Sequence, residues 1–153
     1  MLIEIREATA EDLPALARLR WECHTERQPA DEHDFDAYRL GFAQWCSARQ
    51  GRCRAVVAVD GSHVVGMGFL VLVDRVPSPG SLDRHHGDIQ SMYVTPAHRN
   101  HGVGSKIVRR LLDLARDAGC ERIEVYSGSR AVTFYERSGF EHVDRLLNRV
   151  LGQ

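Results

Sequence analysis

The sequence predicts a mixed α/β fold in which a sheet carries helices on both faces. Three observations predict it. Apolar and polar residues alternate in several short segments, apolar residues recur at helical spacing in others, and the two kinds follow the order β-α-α-β-β-β-α-β-α-β. Strands dominate the middle of that order and helices alternate with strands at its end, which places helices against a sheet rather than against each other. The chain has 153 residues, which suits one domain spanning 1–153. A chain of that size buries roughly 68–70% of its unfolded surface, so an ordinary apolar core is available.

Leu2 to Arg6 alternates and reads as the first strand. Thr9 is placed to cap the next element, with Asp12 as an acidic partner in its first turn. Leu13, Leu16, Leu19 and Cys23 then recur as a helix, and Phe35, Tyr38, Phe42 and Trp45 mark a second helix with an aromatic stripe. Ala55 to Val59 and Val64 to Val73 are β-rich and joined through Asp60-Gly61, a hairpin signal. Arg75 to Gly87, with two prolines and two glycines, reads as a long loop. Asp88 to Val94 alternates and stops before Pro96. From about Gly104 an amphipathic helix carries Ile107, Val108, Leu111, Leu112 and Ala115, and Gly119 stands at its expected end. Glu121 to Tyr126 reads as a strand, Ser129 to Arg137 as a short helix, and Phe140 to Leu151 as a weakly patterned last strand.

Composition narrows the function classes. The chain is 43% hydrophobic, 27% charged and 7% aromatic, which excludes a collagen, a coiled-coil rod and a fully disordered chain. A formal net charge of −1 argues against bulk electrostatic binding to nucleic acid or an anionic membrane. The longest apolar run, Val64 to Val73, is half of the roughly 20 residues that a membrane-spanning helix needs. The first residues offer no basic segment followed by an apolar one, so no secretory signal is read and the expectation is a cytoplasmic protein. Cys23, Cys46, Cys53 and Cys120 form no C-x-x-C pair and read as reduced thiols.

The stretch that carries chemistry is Tyr93 to Ser105. A strand ends, a turn rich in donors follows and a helix begins. The first backbone N–H groups of a helix lack intrahelical partners, and with the helix dipole they make an anion site. Gly102 and Gly104 remove Cβ atoms beside that site, while Arg99 and His101 add donors or positive charge. A P-loop is not formed, because Ser105 separates Gly104 from Lys106, and the third glycine of a dinucleotide fingerprint is absent. What fits is Arg-x-x-Gly-x-Gly after a strand ending in Val-x-Pro. One strand later comes Phe134-Tyr135-Glu136-Arg137-x-Gly139-Phe140.

In that order, with Ile5-Arg6-x-Ala8-Thr9-x-x-Asp12-Leu13 at the start, these segments resemble the GNAT superfamily of acyl-CoA-dependent N-acetyltransferases across nearly the whole chain. The resemblance implies a GNAT-like, mostly antiparallel central sheet and acetyl-CoA as co-substrate, without a metal. It implies that Arg99, Asn100, His101, Gly102, Val103, Gly104 and Ser105 hold the coenzyme A pyrophosphate, largely through backbone N–H groups. The pantetheine arm would enter a gap between the strand Asp88–Val94 and the strand Glu121–Tyr126, pairing with Met92 and Val94. A backbone N–H near Met92 or Tyr93 would stabilise the oxyanion. Phe134 would line the coenzyme site, and Tyr135 would act as general acid toward the leaving thiolate. The position seven residues before Tyr135, often Asn in the family, is Gly128 here, flanked by Ser127 and Ser129. Ser129 would either replace the missing contact or cap the helix.

The acceptor would be a small-molecule or peptide amine. Its general base does not announce itself. Asp88 and Gln90 share a strand face with Met92 by alternation, and Glu26, His85 and His86 lie in segments able to overhang the site. Six acidic residues between Glu22 and Asp36 would favour a cationic amine if they rim the pocket. Trp21, Phe35, Tyr38 and Trp45 line either the acceptor side or only the core. No cysteine lies in either motif, which argues for direct ternary-complex transfer. The rival reading is a non-catalytic acyl-CoA-binding sensor or regulatory module, and a weaker one is a P-loop-like nucleotide binder. The edge left by the last strand could pair with a second copy in a homodimer.

Overall fold

A computed structural model describes residues 2–152. Its elements are β1 (Ile3–Glu7), α1 (Leu13–Thr25), α2 (Phe35–Ser47), β2 (Cys53–Asp60), β3 (His63–Arg75), β4 (Arg84–Val94), α3 (Val103–Asp117), β5 (Ile123–Val125) and α4 (Val132–Arg137). The strands form one sheet in the order β1-β2-β3-β4-β5. The first three pairings are antiparallel and β4 pairs with β5 in parallel. A parallel neighbour cannot be reached by a tight turn, so the chain crosses the sheet through α3.

Alternation along β2 divides the core in two. Val56 and Ala58 pack with Ile107, Leu111 and Leu114 of α3 on one face, and Val57 and Val59 pack with Leu16 and Leu19 of α1 on the other. On the α3 face Gly68 allows the helix to lie close on β3. A Cβ there would collide with the Met92 sulfur and sit 2.9 Å from both Ile107 and Leu111. On the other face Trp21, Phe35, Tyr38, Phe42 and Phe69 form a continuous run of tilted and edge-on ring contacts that joins α1, α2 and β3. The aromatic stripe of α2 is therefore core, except that Trp45 is 40% exposed beneath Arg49.

A buried carboxylate ties β1 to α1. Asp12 accepts two hydrogen bonds from the Arg6 guanidinium, at 2.7 and 2.9 Å, and one from the Thr9 backbone N–H at 2.8 Å. The expected Thr9–Asp12 cap is present, in a single 3-10 turn that leads into α1.

Three expectations from the sequence are corrected. No strand follows α4 among the described residues. The apolar residues there, Val143, Leu146, Leu147, Val150 and Leu151, do not alternate, and all five are exposed. The span from Arg75 to Gly87 is not a long loop, because β3 and β4 stay paired to Arg75 and Arg84 and only residues 76–83 connect them. His85 and His86 accordingly sit within the sheet. The strand expected over Glu121–Tyr126 is three residues long.

The Arg6 guanidinium, with the Thr9 N–H in support, holds the Asp12 carboxyl below its usual range. A carboxyl lowered on folding adds stability above its unfolded pKa of about 3.9 and loses that contribution as pH falls through the folded value. Asp12→Ala is expected to destabilise the protein by about 2 kcal/mol at pH 7. Urea unfolding of both proteins should show that gap closing below pH 4, and a gap that stays constant to pH 2 would contradict the account.

Candidate functional site

The site begins with an irregularity in β4. Met67 lies opposite Tyr93 but Phe69 lies opposite Gln90, so β4 holds one residue too many between them. Ser91 is left-handed there, with φ of 54°. A bulge of this kind bends its strand and ends regular pairing. On its other edge β4 pairs with β5 only from Gly87 to Ile89. Beyond Ile89 the two strands part. A cleft of about 920 Å³ occupies the opening, walled by β4, the end of β5, the start of α3, α4 and the C-terminal end of α1.

The bulge also changes which side chains share a face. Gln90 pairs with Phe69 and Asp88 with Val71, on the α1 side of the sheet. Past the bulge Met92 packs on the α3 side and Tyr93 on the α1 side. Asp88 and Gln90 therefore share a face with Tyr93 and not with Met92, contrary to simple alternation.

At one end of the cleft lies the turn before α3. Among the described residues, no backbone N–H from Asn100 to Ser105 donates to a protein acceptor, and the first that does is Lys106 to Gly102 at 3.2 Å. Asn100 and Gly102 are both left-handed, with φ of 62° and 77°. Left-handed residues in a turn direct neighbouring N–H groups toward one concavity, and the dipole of α3 adds to them. No acidic side chain occupies the first turn of α3 to offset that field. The two glycines serve different purposes. Gly102 permits the left-handed turn, whereas a Cβ on Gly104 would stand 3.3 Å from the Phe134 ring of α4. Val103 contributes only its backbone here, since its side chain is buried under α3.

Arg99 turns away from this concavity. Its Nε donates to the Val94 carbonyl at 2.8 Å, and its Nη2 to the two Glu26 oxygens at 2.8 and 3.1 Å. Glu26 also accepts from the Tyr93 hydroxyl at 2.7 Å. That hydroxyl, then Arg99, holds the Glu26 carboxyl below its usual range, while burial and the adjacent carboxylate push the Tyr93 phenol up. The network fastens the end of α1 to the end of β4, and Arg99, which lines the cleft, is paired there with Glu26.

Tyr135 projects from α4 and is 6% exposed. Its ring is held edge-on by Phe134 and Phe140, with centroids 4.9 and 5.5 Å away. Burial alone pushes its phenol up to about 12. Asp88 lines the same cleft and accepts a hydrogen bond from Gln90 at 2.8 Å.

Met92, Tyr93, Val94, Arg99, Gly104, Phe134, Tyr135 and Asp88 thus meet around one cleft. Asn100, His101, Gly102, Val103 and Ser105 form the turn at its end. Ser129 stands outside, in an exposed 3-10 turn with no capping bond; the serine at the cleft is Ser127, whose hydroxyl donates to the Gly128 carbonyl at 2.8 Å. His85 is turned to the Ala118 carbonyl at 2.6 Å, and His86 faces Glu124 at 3.5 Å; neither lines the cleft. Of the acidic residues from Glu22 to Asp36 only Glu26 does. Glu32 is held by Arg18 and Trp21, and Asp31 by His33. None of Trp21, Phe35, Tyr38 and Trp45 reaches the cleft. Sequence reasoning missed Arg20, Cys23, His24, Arg27 and Arg130. The first four had a signal, because positions 20, 23, 24 and 27 form one stripe of a helix.

A mostly antiparallel sheet, parted at its one parallel pair above a helix N-terminus, is the architecture of an acyltransferase fold, and the comparisons agree. The family model described as acetyltransferase (GNAT) matches residues 13–140, and the chain belongs to that family. An uncharacterized N-acetyltransferase of Escherichia coli, YjgM, is 28% identical over 94% of this chain and 84% of its own length. An aminoalkylphosphonate N-acetyltransferase of Salmonella typhimurium is 29% identical over 90% of this chain and 84% of its own length. A glucosamine 6-phosphate N-acetyltransferase of Trypanosoma brucei brucei is 28% identical over 54% of each chain, so the match spans about half of that relative. Among solved structures, a predicted acetyltransferase with acetyl-CoA from Clostridium acetobutylicum superposes with a TM-score of 0.81 at 16% identity, covering 97% of this chain and 96% of that one. No described helix is long and apolar enough to cross a membrane.

Because the Tyr135 hydroxyl has no hydrogen-bond partner among the described residues, Tyr135→Phe is expected to change stability by less than about 0.5 kcal/mol. A loss above about 1.5 kcal/mol in denaturant unfolding would mean that the hydroxyl is structural.

Proposed function

We propose that this protein transfers the acetyl group of acetyl-CoA to a primary amine within a ternary complex, with Tyr135 as general acid. The observation that carries the reading is the run of partnerless N–H groups from Asn100 to Ser105, set where β4 and β5 part. That run fits a diphosphate, and the parted edge of β4 fits an extended amide-bearing arm, which would pair with strand backbone at Met92 and Val94. A relative named for aminoalkylphosphonates and another for glucosamine 6-phosphate support an amine as acceptor.

Acetyl-CoA supplies the activated acyl thioester. The amine nitrogen forms a bond to the carbonyl carbon, and the carbon–sulfur bond breaks. A backbone N–H of β4 near Met92 or Tyr93 would face the developing oxyanion, where fixed donors act with little reorganisation. Asp88, which lines the cleft, would take the proton that the amine sheds, directly or through one water. Tyr135 gives its proton to the departing sulfur. In water a thiol has a pKa of about 8.5, well below this tyrosine. Exclusion of water from the cleft would raise the leaving thiol in the same direction as Tyr135 and so narrow the gap between them.

Titration calorimetry with coenzyme A and thiol release from acetyl-CoA across a panel of amines test the reading. Tyr135→Phe should lower kcat about 100-fold, with little change in the KM for acetyl-CoA. Because Tyr135 stays protonated to about pH 12, kcat should show no alkaline fall from its ionisation below about pH 11. Unchanged turnover in the variant would remove the acid role, and coenzyme A binding without thiol release across the panel would favour a sensor.

A further inference from the structure

Resting on the acetyl-transfer reading, we infer that the acceptor carries an anionic group (phosphate, phosphonate or carboxylate) beside its amine, and that Arg20, Arg27 and Arg130 form the subsite for it. All three line the cleft. Nine other arginines of the chain hold a carboxylate within 4.0 Å. Among the described residues these three guanidinium groups hold none. The cleft contains two carboxylates, Glu26 and Asp88; Glu26 is hydrogen-bonded to Arg99 and Tyr93, with Arg27 near enough to help lower its carboxyl, and neither carboxylate is bonded to the three guanidinium groups.

Two of the three are set apart from the pyrophosphate site. Arg20 lies on α1 and Arg27 in the turn just past its end, and α1 packs on the face of the sheet opposite α3, whereas the N–H donors belong to the turn that opens α3. Arg20, Cys23 and His24 share one stripe of α1, Arg27 follows in the turn where its N–H donates to the His24 carbonyl at 3.0 Å, and all four line the cleft with Asp88. Arg27 reaches the far wall, where a Cβ on Gly128 would stand 4.0 Å from its Nη2. Arg130 comes from that wall, in the turn before α4. An oxyanion held among the three can receive paired N–H donors from a guanidinium, and its amine would extend toward Asp88 and the thioester. The acidic residues at Glu22–Asp36 would favour a cationic acceptor only if they rimmed the pocket. Of them only Glu26 lines the cleft, and it is held by Arg99 and Tyr93.

Matched amines test the inference: 2-aminoethyl phosphate against ethanolamine, and β-alanine against its amide. The expected result is a preference for the anionic member of about 10- to 100-fold in kcat/KM. Arg20→Ala, Arg27→Ala and Arg130→Ala should each erode that preference through the acceptor KM, leaving the KM for acetyl-CoA unchanged. Arg20→Lys should retain part of it. Calorimetry of 2-aminoethyl phosphate on the coenzyme A-loaded protein gives the same comparison without turnover. Equal use of charged and neutral amines would overturn the inference. So would variants that weaken coenzyme A affinity and spare the acceptor, since the arginines would then serve the coenzyme. Absence of any heat with coenzyme A on the intact protein would sink the acetyl-transfer reading and this inference with it. Normal coenzyme A binding with no charge preference would sink the inference alone.

Discussion

An extra residue in one strand disrupts its ladder locally and bends the strand. In this protein the extra residue in β4 is accommodated by a left-handed Ser91, and β3 absorbs the slip by changing its register. β5 does not follow, and its pairing stops at Ile89. The cleft is the direct result. The groups of the candidate site are arranged around that failure of pairing: the donors at the start of α3, the buried phenol of α4 and the arginines at and just past the end of α1. A regular β4 would close the gap and place Tyr93 on the wrong face to meet Glu26.

The two faces of the sheet then divide the work. On the α3 side, close packing over Gly68 and against Phe134 sets the helix N-terminus at the end of the cleft. On the α1 side, the Glu26 carboxylate receives both Tyr93 and Arg99, so the helix end and the strand end move as one body. Arg99 is thereby paired with Glu26 at the cleft wall. Backbone donors do not need it, since a helix terminus and a left-handed turn supply partial positive charge without a side chain.

Residues near in the chain were read correctly where their partners are also near. The Gly102-x-Gly104 turn, the stripe of α3 and the Thr9–Asp12 cap each depend on contacts within a few positions. The Arg99–Glu26 pair joins residues 73 apart, and no local pattern signals it. The shared face of Asp88 with Met92 was inferred from alternation, which holds only while a strand stays regular. Serine has no marked preference for positive φ, so Ser91 gave no warning. Ser129 looked equivalent to Ser127 in sequence, and only the direction of the loop separates them.

By itself the sequence determined the family, the order of the elements up to α4, and the glycine turn that opens α3, because hydrophobic period and turn chemistry act over short distances. The tertiary structure decided the rest: where the sheet parts, which arginines stay uncommitted, and which way the acidic residues of the α1–α2 segment point. Those outcomes depend on how elements far apart in the chain satisfy or fail to satisfy one another, and a carboxylate already held by an arginine reads the same in a sequence as a free one.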